Sequence, residues 1–281
     1  MINKYKAGYE QFFLGILEGD GSIQVNHWKK RYLQFRFIIK LKYTVANYDM
    51  CAKIRQNLKI MNLHIRHGFV VMVEDDRTKI SKIMEIIEKY GLLLTHRRKQ
   101  YAFFKYCLNN RISYSEYAHI KSLKDLWSGF EGIVDLKSAE LLQFKHWPNW
   151  LCGFTEAEGC FCIRKNNSHS FSISQKNGYE VLSAIKNTFS IPNKIRPTTR
   201  VHVIETYAGK VLQGIINFFS LSDIETSLSK VLNKKSSCSL RTRQALREPI
   251  IGLLGQKKLQ FEAFKASIAN TKAFPSVAQR L

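Results

Sequence analysis

The sequence predicts an α+β chain of two related units that meet through a pair of helices. Three observations predict it. FFLGILEGDGSI, from Phe12 to Ile23, recurs 138 residues later as WLCGFTEAEGCFCI, from Trp150 to Ile163. YGLLLTHRRKQYAFFKY, from Tyr90, matches IIGLLGQKKLQFEAFKA, ending at Ala266, without gaps at an offset of 160. Between these landmarks each copy passes from helical to alternating periodicity and back. Such self-similarity marks an internal duplication. The two offsets differ by 22, so the second copy carries 22 more residues within the repeat.

The elements follow in order. Phe12 to Asp20 reads as a helix, and Ser22 to Asn26 as a strand. Lys29, Lys30 and Arg31 suit a hairpin tip. In the strand from Gln34 to Lys42, Phe35, Phe37, Ile39 and Leu41 fall on one face, and Gln34, Arg36, Lys40 and Lys42 on the other. A helix over Val45 to Leu58, a hairpin over Leu63 to Val73 and helices over Ile80 to Tyr90 and Lys99 to Cys107 complete the first unit. The second repeats the order with strands over Cys160 to Lys165, Ser168 to Lys176, and Lys194 to Tyr207 with a turn inside. Its later helices fall near Tyr179 to Phe189, Lys210 to Phe219 and Lys257 to Ile268. The additional residues are expected between Val211 and Pro249. The expected units are 1–108 and 147–281. Between them, 109–146 reads as a packed connector of short amphipathic helices.

With 44 basic and 22 acidic residues in 281, the net charge is +22, which favours a polyanionic partner through phosphate attraction. No apolar run is long enough for a membrane span. MINKYKAGYEQFF lacks the apolar core of a secretory signal, so the chain is expected to be soluble and not secreted. The start is also unlike an arginine-rich transit peptide, so an organelle location would need local synthesis or an additional presequence. Among six cysteines there is no C-x-x-C pair, and the expectation is buried free thiols in a reducing compartment.

The repeated motif carries the chemistry. Gly15 with Gly19, and Gly153 with Ala157, place small residues four apart, which lets two helices approach closely. Their C-terminal ends would then lie side by side, with Asp20 and Glu158 where the helix dipole disfavours anions. Two carboxylates about 5 Å apart repel by about 3 kcal/mol at an effective dielectric of about 20. One such acid before a helix-ending glycine is ordinarily a solvated cap; two, in a basic duplicated chain, suit hard cations such as Mg²⁺ completed by water and phosphate oxygens. The chemistry inferred is metal-assisted phosphodiester hydrolysis. Glu18 and Glu156 recur inside the helices and are expected to be structural.

At these residues the chain resembles the LAGLIDADG homing endonucleases of the two-motif, single-chain type. The resemblance spans nearly the whole chain and implies two pseudo-symmetric αββαββα units with curved antiparallel DNA-binding sheets and a two-helix interface. It implies a monomer that cuts both strands of a long, asymmetric DNA target, with about ten base pairs under each sheet. Intron homing in a mitochondrion or chloroplast is the implied setting. Asp20 and Glu158 would bind Mg²⁺, with Mn²⁺ substituting. Lys257 and, with a departure, Arg97 match the family's basic position near the scissile phosphates. Gln175 matches a water-positioning residue at the end of the second strand, where the first copy has Leu41.

The recognition residues expected in the first unit are Gln24, Asn26, Lys29, Lys30, Arg31, Gln34, Arg36, Lys40, Lys42, His64 and Arg66. In the second they are Arg164, Lys165, Ser170, Ser172, Lys176, Arg196, Arg200 and His202. Arginine, glutamine and asparagine can pair with base edges, whereas lysine more often holds phosphate. Two alternatives share the scaffold: an RNA-binding maturase for the host intron, and a catalytically inactive DNA-binding regulator.

Overall fold

In the computed structural model, which describes residues 2–122, 132–166, 168–220 and 251–273, two sheets flank a central helix pair. The first unit runs α1 (Ile2–Gly19), β1 (Gly21–Trp28), β2 (Tyr32–Lys42), α2 (Val45–Leu58), β3 (Asn62–Arg66), β4 (Phe69–Glu74), α3 (Arg77–Tyr90) and α4 (Thr95–Asn109). Then come α5 (Tyr114–Ser122) and α6 (Ser138–Leu141). After them follow α7 (Trp147–Glu158), β5 (Gly159–Ile163), β6 (His169–Gln175), α8 (Tyr179–Thr188), β7 (Arg196–Pro197), β8 (His202–Thr206), α9 (Gly209–Phe219) and α10 (Gln256–Ala273).

Both sheets are four-stranded and antiparallel, in the orders β1-β2-β4-β3 and β5-β6-β8-β7. Alternation decides which face is buried. Phe35, Phe37, Ile39 and Leu41 of β2, and Phe171 and Ile173 of β6, face the core. Lys29 and Lys30 both take positive φ in the first hairpin turn, closed by Arg31 N–H donating to Trp28 O at 2.9 Å.

α1 and α7 form the spine. Phe12, Phe13, Leu14, Ile16 and Leu17 of α1, and Trp150, Leu151, Cys152 and Phe154 of α7, are all buried. A helix apolar nearly all round is stable only inside a protein, and each such side chain contributes about 1.5–3 kcal/mol by burial.

Some boundaries differ from those read in the sequence. α1 begins at Ile2, ten residues before Phe12, because tertiary contacts hold its polar first half. Glu10 accepts from Lys89 Nζ at 2.8 Å and from Tyr90 Oη at 2.9 Å. The connector is packed where described: Tyr117 and Leu141 are buried, and Tyr117 Oη donates to Val25 O at 2.7 Å. Residues 123–131 of the connector, and 221–250, which hold most of the expected insertion and Cys238, lie outside the described residues.

The cysteines require a correction. Cys51, Cys107 and Cys152 are buried, but Cys160 is exposed and Cys162 half-exposed. β5 is an edge strand of its sheet, and its even-numbered row faces away from the core.

Candidate functional site

Equivalent residues of the two copies touch one another along the helix pair. Asn149 Nδ2 donates to Gln11 Oε1 at 2.9 Å. A Cβ on Gly15 would collide with Trp150 O and lie 2.6 Å from Phe154 N; one on Gly153 would collide with Phe12 O. One turn further on, the space beside Gly19 is filled by the Ala157 methyl. Positions 11 and 149, 15 and 153, and 19 and 157 are related by the repeat, so the pseudo-two-fold axis passes between the helices.

The axis delivers Asp20 and Glu158 to the same end. Both remain accessible to solvent, yet both are held above ordinary carboxylate pKa values: Asp20 at about 6 and Glu158 at about 7. Desolvation beside the packed helix ends is the larger cause for each. The negative charge of Asp20 raises Glu158 further. Lys257 and Arg97 oppose the rise, Lys257 more strongly at Asp20 and Arg97 more strongly at Glu158. Four charged groups from four elements thus share one electrostatic site.

Two buried glutamates tie the closing segments to this end. Glu18 accepts from Leu93 N at 2.8 Å, Leu94 N at 2.6 Å and Trp150 Nε1 at 2.7 Å. Glu156 accepts from Leu254 N and Gly255 N at 2.7 Å and Lys257 N at 3.1 Å. Burial pushes both up in pKa, Glu18 to about 7, while these donors favour the ionised form. In each copy the glutamate two residues before the terminal acid therefore positions α4 or α10, and with it Arg97 or Lys257.

Arg97 reaches back to the end of α1. Its Nε donates to Glu18 O at 2.9 Å, its Nη2 to Gly19 O at 3.0 Å and its Nη1 to Gln100 Oε1 at 3.0 Å. It satisfies carbonyls that the helix end leaves unpaired. Gln175 is buried at the end of β6, opposite His202 in the register.

The outward face of the first sheet carries Gln24, Asn26, Gln34, Arg36, Lys40, Lys42, His64 and Arg66. Asn26 Nδ2 donates to Gln24 Oε1 and Gln24 Nε2 to Ser22 Oγ, which lines up a polar row along β1. Arg36 pairs with Asp75 at 3.6 Å, and Lys40 lies 4.1 Å over the Phe69 ring. On the second sheet Ser172 faces outward; Arg164, Lys165, Lys176, Arg196 and Arg200 are exposed on strand ends and loops.

Two recognition residues are placed differently from the expectation. His202 pairs with Gln175 and shares the core-side row of Ile204 and Thr206, against Tyr179. Ser170 is on the outward row but only 2% exposed, opposite Cys162 where the ladder runs on toward Tyr207. A residue missed in the sequence is Glu205, opposite Ser172 on the outward row. It pairs with Arg164 at 3.4 Å and Arg196 at 3.2 Å, and Arg164 also donates to Tyr207 Oη at 2.7 Å. A lone acid in a basic sheet is a signal only once the arginines on both sides of it are known.

Residues 13–108 and 151–242 each match the family of the LAGLIDADG endonuclease. The chain belongs to the LAGLIDADG endonuclease family. The "Probable intron-encoded endonuclease aI3" of Dictyostelium citrinum is 37% identical over 219 residues, covering 75% of this chain and 86% of that protein. The protein of the same description from Debaryomyces hansenii is 30% identical over 260 residues; this chain spans 37% of its length. The fold is that of the LAGLIDADG meganuclease I-AabMI bound to uncleaved DNA, with a TM-score of 0.64 at 17% identity, covering 94% of this chain and 91% of that one.

LAGLIDADG nucleases depend on divalent metal, and the donor set here fits one. Among the described residues no cluster of three or more His, Cys, Asp or Glu could hold a metal unaided. Asp20 and Glu158 instead offer hard oxygen donors from two chain segments, desolvated, mutually repelling and open to solvent on one side. That composition suits a cation whose remaining positions are taken by water and phosphate oxygens. Among the described residues no LAGLIDADG helix is long and apolar enough to cross a membrane.

Proposed function

We propose that this LAGLIDADG protein is a Mg²⁺-dependent, site-specific double-strand DNA endonuclease of intron homing, acting as a monomer. The single observation that carries the reading is the convergence of Asp20, Glu158, Arg97 and Lys257 at the paired helix ends. Asp20 and Glu158 would hold the metal, which when bound activates water and offsets charge on the phosphate. Lys257 would hold a scissile phosphate, and Gln175 would orient the attacking water. The outward rows of the two sheets would lie in the major groove, with arginine, glutamine and asparagine reading base edges and lysine holding phosphates. Because the two rows differ residue by residue, the target would be asymmetric. A mitochondrial or chloroplast setting follows the family resemblance and the intron-encoded relatives.

The test is to incubate the protein with organellar and genomic DNA from intron-free relatives, with Mg²⁺ or EDTA, and to sequence new ends. Reproducible Mg²⁺-dependent breaks at one sequence are expected. Tight binding without new ends in DNA that contains the bound site would favour the regulator or maturase reading instead.

A further inference from the structure

The duplication gives the molecule two equivalent seams between its units, and they are closed differently. In one, Asn47 Oδ1 of α2 accepts from Gln256 N at 2.9 Å, and a Cβ on Gly255 would lie 2.9 Å from that oxygen and from Met50 Sδ. In the other, Val181 stands where Asn47 does, and Thr95 where Gly255 does. The equivalent of Gln256 is His96, whose N–H has no acceptor among the described residues. Between α4, the connector, α8 and β8 this second seam holds a cavity of about 730 Å³. Leu93, Leu94, Leu136 and Val181 give it apolar walls. Asp20, Glu158, Arg97, Lys257 and Gln175 all lie outside its lining.

The polar groups left over in this lining are able to donate. His96 Nδ1 and His202 Nδ1 are buried and unpartnered. Burial first, then the charges of Arg97 and Lys176, hold His96 at about 4, so its ring is neutral at pH 7 and Nδ1 carries the hydrogen in one tautomer. Lys99 and Lys176 also line the cavity, and neither makes a hydrogen bond or ion pair with a described residue. The two acids present are already engaged: Asp135 accepts from Thr95 Oγ1, and Glu180 from Ser138 N at 2.9 Å. Buried donors left unpaired are costly, and one oxyanion can pair with several of them. We propose that this cavity binds a small phosphorylated molecule of mononucleotide size, its phosphate held by Lys99, Lys176 and His96 and its flat part lying against the leucines and Val181. The volume falls within the range of small-molecule sites, and apolar walls with a few polar groups are their usual composition. Bound there, the molecule touches both units and the connector. The proposal stands apart from the endonuclease reading, and its test reads binding rather than cleavage.

The experiment is calorimetric titration of the full chain with adenosine monophosphate, in EDTA and at about 150 mM salt to screen the basic surface. Binding at one site is expected, with a raised Tm. Inorganic phosphate should compete, and adenosine should not. Lys99→Met should weaken binding by about tenfold. Val181→Asn, which supplies the missing acceptor to His96 N–H, should abolish it. Lys82→Met removes an equal charge from the exposed surface of α3 and should change the affinity by less than about twofold. Saturation with an unrelated DNA duplex should leave the nucleotide bound. Absence of binding, equal binding of adenosine, or the same loss in Lys82→Met as in Lys99→Met would overturn the proposal. Displacement by the duplex would also overturn it, by assigning these lysines to a nucleic-acid backbone. If Val181→Asn does not fold, Lys99→Met against Lys82→Met decides.

Discussion

The Asn149 side-chain amide donates to the Gln11 side-chain carbonyl, and the two residues occupy the same position in the two copies of the repeat. A contact between equivalent residues occurs only at a symmetry axis. The same Asn149 accepts from Ile251 N at 2.7 Å, so the axis is also fastened to the closing segment of the second unit. Everything the site does depends on this axis, because it brings together two acids 138 residues apart.

Gly153→Ala should therefore destabilise the protein although alanine is the better helix former. Its helix preference is worth about 1 kcal/mol. Against it stands a methyl driven into the Phe12 carbonyl and lying 3.1 Å from Ile16 N, backbone that cannot rotate away. A net loss of about 2 kcal/mol is expected in urea unfolding; unchanged or increased stability would show that the helices can part without cost.

Glu18→Gln tests the positioning of the closing segment. Glu18 meets only donors, so an amide would set N–H against N–H at one of them. A loss of about 1–3 kcal/mol is expected by denaturant titration, and an unaltered midpoint would contradict the role given to this residue.

Stability of the metal-free protein should depend on pH with a definite sign. Folding raises Asp20 from 3.8 to about 6 and Glu158 from 4.5 to about 7. Between the lower and upper values the folded state holds protons that the unfolded chain has released, so their contribution is present at low pH and lost as pH rises through 6 and 7. Thermal melts of wild type minus Asp20→Asn/Glu158→Gln should show this decline. Mg²⁺ at pH 8 should raise the wild-type Tm and not that of the double variant. A flat difference without metal would contradict the desolvation of the two acids at the packed helix ends.

Glu205→Gln should alter recognition more than affinity. Glu205 fixes the orientation of Arg164 and Arg196, and an arginine held in plane suits a guanine edge. Binding to targets bearing every single-base change should lose about 1–3 kcal/mol of preference at one position under the second sheet. A uniform change across all targets would reduce the cluster to a phosphate contact.

Much of this architecture was legible in the residues. Small residues four apart and an acid before glycine, given twice, imply two packed helices, and period-two alternation gives the faces of β2 and β6. What escaped depends on partners distant in sequence. The first turns of α1 are held by Lys89 and Tyr90, and the Arg97 cap acts on carbonyls 78 and 79 residues away. The core-side placement of His202 is not legible in the sequence, because β7 has only two residues, too few for alternation to set the register of β8. Ser170 and Cys160 have similar side chains on one outward row, and only neighbouring chain decides that the first is covered and the second exposed.

The most direct test of the central claim is to measure cleavage and binding of the mapped target by Asp20→Asn and Glu158→Gln separately. If the acids form one shared site, each variant should lose double-strand cleavage by at least about 100-fold, with DNA affinity kept within about threefold because neither acid contributes attraction to phosphate. Cleavage of both strands at the wild-type rate by either variant would contradict it.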